Sequence, residues 1–177
     1  MIDRPREVPM PLTGRVAELQ KGADFCDAWC VDSDAVQRSA LELFIEAAKQ
    51  TPRWVSTCMD IRNRVVARLG LKDLGGISAV PDKNAASAYR VGERVGIFTL
   101  IENSFDEALL GDSDKHLDVV LSVQRQAHPD GQRITVTVST VVHIHNLLGR
   151  LYMLPVKPMH RLIVPTVMRA IGPTLRT

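Results

Sequence analysis

The chain has 177 residues, 45% apolar, 24% charged and only 5% aromatic, with a formal net charge of +2. This size and balance describe one globular domain that buries its own core without staples, and exclude disorder outside the ends. The near-neutral charge and scarce aromatics also exclude a basic, base-stacking nucleic-acid binder, so no nucleic-acid partner is expected.

Met1 to Gly22 carries Pro5, Pro9 and Pro11 among mixed charges and reads as an N-terminal arm. A single domain is expected over 23–172, followed by a short tail over 173–177. Ala23 to Val31 reads as a first strand, with Phe25, Trp29 and Val31 on one face and Cys26, Ala28 and Cys30 on the other. On such a strand Cys26 and Cys30 stand about 13 Å apart, beyond the roughly 7 Å reach of a disulfide. With Cys58 the count is odd, so all three cysteines are read as reduced. No signal-like apolar run follows the charged start, and none reaches the roughly 18 residues of a membrane span. The expectation is a cytoplasmic protein with no integral membrane association.

Asp32, Ser33 and Asp34 are helix-capping types ahead of Val36, Ala40, Leu43, Phe44, Ala47 and Ala48, an apolar stripe at helical spacing. A second helix is predicted from Thr51–Pro52, with Val55, Met59, Val66 and Leu69 inward and Gly70 as its stop. Its Arg53, Arg62, Arg64 and Arg68 read as a solvated face. Asp73 to Gly92 is a predicted loop with a short strand near Ile77–Val80. From Glu93 the alternation becomes strand-like: one strand through Val95 and Ile101, another at Glu107–Gly111, and a third from Leu117 to Gln124. His128–Pro129–Asp130–Gly131 is a turn, because proline presets φ and glycine accepts a positive one. Ile134 to Asn146 is the longest predicted strand, rich in β-branched residues. The final helix is expected to begin between Pro155 and Pro158 and to kink or break near Pro165, which deletes a backbone donor. No acidic residue follows Asp130, whereas Arg133, Arg150, Lys157, Arg161, Arg169 and Arg176 do.

A short strand, two helices, an antiparallel meander and a long last helix predict an α+β fold. The order resembles the helix-grip fold of the START-like (polyketide-cyclase-like, SRPBCC) superfamily, in which a curved antiparallel sheet wraps a long C-terminal helix. More locally, Thr51–Pro52–Arg53–Trp54–Val55, Ile61–Arg62–Asn63, Leu110 to Asp118, Val141 to Asn146, Gly149–Arg150–Leu151–Tyr152 and Pro158 to Val164 resemble an uncharacterised bacterial domain-of-unknown-function family, numbered 2867. The resemblance implies the helix-grip fold and implies no reaction.

Three constellations carry candidate chemistry. His143 and His145 lie two apart on a strand, so their imidazoles project from one face as an acid/base pair or metal ligands. Zinc would need a third ligand, which His116, Asp118 or His160 supplies only if the fold brings it near; no second ligand motif appears, and no metal or cofactor is assigned. His116 and Asp118 share a strand face beside Asp112 and Asp114, where a carboxylate could orient an imidazole near neutral pH. Asn146, Arg150, Tyr152 and His160 flank the strand-to-helix connection and are candidate ligand anchors. The leading expectation is a small, mainly apolar ligand held between sheet and last helix. The alternatives are a cyclase, dehydratase or hydrolase using the His/Asp groups, and an interaction module or homodimer without activity.

Overall fold

The computed structural model describes residues 4–68 and 86–172. The expected strand near Ile77–Val80, the stop at Gly70, the side chains of Val66, Arg68 and Leu69, and the tail over 173–177 lie outside the described residues. The chain forms β1 (Arg6–Val8), α1 (Arg15–Leu19), β2 (Phe25–Ser33), α2 (Ala40–Lys49), α3 (Arg53–Arg68), a 3-10 turn (Ala86–Ala88), β3 (Arg94–Val95), β4 (Phe98–Asn103), β5 (Glu107–Ser113), β6 (Leu117–Ala127), β7 (Ile134–Ile144) and α4 (Leu147–Met168). The strands make one seven-stranded antiparallel sheet in the order β1-β2-β7-β6-β5-β4-β3. This is the α+β, helix-grip arrangement expected from the order of elements.

Alternation sorts the sheet into two faces. Phe25, Asp27, Trp29 and Val31 of β2 share one face with Val136, Val138, Thr140 and Val142 of β7 and Val119, Leu121 and Val123 of β6. α2 lies on this face, where Leu41, Leu43, Ala47 and Ala48 join Val31, Leu121, Val123, Ile134 and Val136 in the core. Burying each leucine contributes about 1.5–3 kcal/mol. α4 meets this cluster through its C-terminal end, where Met168 and the following Ile171 are buried in it and Val164 and Val167 pack against it. The opposite face carries Ser122, Ser139 and Val141 and is covered by α1, whose Val16 is fully buried.

Several boundaries differ from the sequence reading, each for a local reason. The arm over 1–22 supplies β1, paired with β2, and α1. Asp32 and Ser33 stay in β2, and the cap of α2 is Ser39, which forms a capping box with Glu42. Pro52 offers its carbonyl to Val55 N at 3.0 Å, so α3 begins one residue later than expected. The strand expected from Val95 to Ile101 is two strands, because Gly96, at φ 61, turns the chain through a tight hairpin. The turn at His128–Gly131 forms as expected, with Gly131 N donating to His128 O at 2.9 Å.

The largest correction concerns α4. It does not begin near Pro158; it runs unbroken from Leu147 to Met168 with Pro155, Pro158 and Pro165 inside it. Asn146 starts it, accepting a bond from Gly149 N at 3.1 Å. The prolines leave the carbonyls of Leu151, Leu154 and Arg161 without their helical donors. All three residues are exposed, so water can serve those carbonyls.

Candidate functional site

The seam between sheet and α4 contains one buried polar cluster. β2 places Asp27 on the apolar side of the strand, directly opposite Thr140 of β7. Asp27 is 6% exposed. A carboxylate there needs donors to replace lost water. Trp29 Nε1 donates to its Oδ2 at 3.2 Å, and His160 Nε2 of α4 lies 3.1 Å from its Oδ1. The same Nε2 is 3.2 Å from Thr140 Oγ1. Since the carboxylate can only accept, the proton sits on Nε2, shared between Asp27 and Thr140. In the neutral imidazole this makes Nδ1 the basic nitrogen. Phe25 packs edge-on against the His160 ring at 5.6 Å, and Lys157 Nζ lies 5.6 Å from the Phe25 ring centre. Beyond this cluster Leu117, Val119 and Ile144 on the same face are only half-buried. The arrangement can orient a polar head group or hold a proton beside an apolar wall.

A second cluster forms where β6, β7 and α4 meet. Asp114 Oδ1 accepts from His116 N at 2.6 Å and Leu117 N at 3.1 Å, shaping the turn into β6. His116 is buried, with Nδ1 3.1 Å from Asn146 Oδ1 and Nε2 without a partner among the described residues. Asn146 Nδ2 donates to Lys115 O at 2.9 Å, and His145 N donates to His116 O at 2.9 Å. A half-open recess of about 170 Å³ lies beside this junction, lined by Ile144, His145, Asn146, Leu147 and Arg150.

The residues singled out from sequence are divided between these places. Asn146 and Arg150 share the recess with His145. Tyr152 lies further along α4, where its hydroxyl accepts from Arg62 Nε at 3.0 Å and its ring carries the Arg62 guanidinium at 5.4 Å. Asp118 pairs with His145 Nε2 at 2.9 Å and with Ser113 Oγ, whereas His116 turns to Asn146. The carboxylate therefore stands between serine and histidine, an order that does not let the imidazole take the hydroxyl proton. His143 is on the α1 face, bound to Leu19 O at 2.8 Å. Among the described residues no three His, Cys, Asp or Glu side chains gather as metal ligands. All three cysteines are free. No helix among the described residues is long and apolar enough to cross a membrane.

The family model for proteins of unknown function DUF2867 matches residues 19–167, from the end of α1 almost to the end of α4. The chain belongs to the DUF2867 family. The match takes in both clusters. No curated protein and no solved structure matches this DUF2867 chain. Sequence reading missed Asp27, Thr140 and the indole of Trp29. The available signal was parity: Asp27 is the one acid on the side of its strand that carries Phe25, Trp29 and Val31.

Proposed function

We propose that this DUF2867 domain binds a small, mainly apolar molecule between the sheet and α4, with His160, Asp27 and Thr140 holding its polar end. The observation that carries the reading is the Asp27–His160 pair, a buried carboxylate held by a half-buried imidazole on the apolar side of the sheet. Ligand sites combine apolar walls with a few placed polar groups, and half-buried Leu117, Val119 and Ile144 offer such a wall. Of the 22 residues of α4 only Gly149, Met153 and Met168 are buried, and Val156, Met159 and His160 between the two methionines are half-buried. The free cysteines support a reducing, cytoplasmic setting.

The test is native mass spectrometry of protein purified from cells, followed by titration with medium-chain fatty acids and fatty alcohols read by Trp29 emission in a Trp54→Phe background. One saturable site is expected. His160→Leu removes a hydrogen-bonding anchor and weakens binding about tenfold, the equivalent of roughly 1.4 kcal/mol. Absence of any co-purified or saturable ligand, or equal affinity in His160→Leu with its fold intact, refutes the reading. A second reading, acid/base catalysis by the same pair, is favoured by the tautomer that Asp27 imposes on His160. It predicts that a bound molecule changes mass on incubation with the native protein and stays unchanged with Asp27→Asn.

A further inference from the structure

The outward side of α4 is apolar where a solvated helix would be polar. Leu147, Leu151, Leu154 and Leu162 are 80%, 60%, 68% and 59% exposed. At 3.6 residues per turn they fall in one stripe along the helix axis, opposite the side that carries Met153 and His160 inward. Arg150, Lys157 and Arg161 recur on one edge of that stripe, the two arginines exposed and Lys157 half-buried with its Nζ toward Phe25. No carboxylate pairs with any of the three among the described residues, and α4 contains no acid. A lone exposed leucine is ordinary; four in register with a basic border form an unpartnered face.

We infer that this face of α4 docks on an anionic lipid surface, lying flat at headgroup depth. The charge selects the occupant. A second copy of the chain presenting the same face offers three more cations and no carboxylate, so the two faces repel. An anionic bilayer supplies both hydrocarbon for the leucines and negative charge for the basic edge. The depth follows from the prolines. The carbonyls of Leu151, Leu154 and Arg161 lack helical donors and must keep water or headgroup partners, which forbids deep insertion. The inward side of the same helix still carries His160 against Asp27, so docking leaves the seam intact.

The experiment is co-sedimentation of the full chain with phosphatidylcholine vesicles and with vesicles containing phosphatidylserine, at low and high salt. Binding to the anionic vesicles is expected to exceed binding to neutral ones by at least about tenfold and to fall with salt. Leu151→Gln with Leu154→Gln should abolish it while circular dichroism stays unchanged, and Arg150→Gln with Arg161→Gln should erase the lipid preference. If the glutamine pair unfolds, the arginine pair decides alone. Failure to bind, equal binding to both vesicle types, or a solution dimer that the glutamine pair dissociates overturns the inference.

Discussion

A carboxylate on the apolar side of a strand loses the water that solvates it, and Asp27 recovers partners from Trp29 and His160. Its partner on α4 is 133 residues away, which is why the face of Asp27 is legible in the sequence and its role is not. Asp32 shows the same principle at the other end of β2. The Thr135 hydroxyl donates to it at 2.6 Å, and Arg6 and His128 stand nearby. Against the opposing effect of burial, these hold its carboxyl below the ordinary value of 3.8. A depressed folded pKa means stability that is present above that ordinary value and is lost as pH falls below it. Asp32→Asn is therefore expected to lower stability at neutral pH, and the gap from wild type should close in strongly acid buffer. Urea titrations across that window measure it. Cys30, by contrast, has its thiol pushed up by burial, with Arg6 opposing.

At the scale of elements, β6, β7 and the turn between them were readable because alternation and the Pro–Asp–Gly sequence agree locally. α4 was misread because three prolines argue for breaks, while the features that start it are compact: Asn146 as cap and Gly149 in the first turn. A methyl group at Gly149 would collide with the His116 carbonyl and lie 2.9 Å from Ile144 Cγ2, so only glycine lets the helix approach β6 this closely. Asn146→Ala is expected to cost about 1 kcal/mol, the usual loss of a cap. Gly149→Ala is expected to cost about 1–3 kcal/mol, because backbone must move. Chemical denaturation distinguishes the two, and the Asn146 variant should also disturb His116, visible in its imidazole proton resonances.

At the scale of the whole molecule, composition and element order were enough for the α+β class. The placement of β2 against β7 was not legible, since no local signal pairs strands so far apart. The interior joint of the sheet joins Phe25–Ser33 to Ile134–Val142, and the Thr135–Asp32 bond across it spans 103 residues. Such non-local pairing predicts slow folding, on the order of milliseconds to seconds, which stopped-flow refolding monitored by tryptophan emission would show.

The position of β2 also sets an order of events at the ribosome. Its neighbour β1 has only three residues, so β2 emerges with little to pair against. At about 5–20 residues per second, a separation of 103 residues keeps its β7 edge open for roughly 5–20 seconds before the partner strand is made. During that interval Phe25, Trp29 and Val31 lie on a strand whose β7 edge is open, a template for pairing with another chain until residues 134–142 arrive.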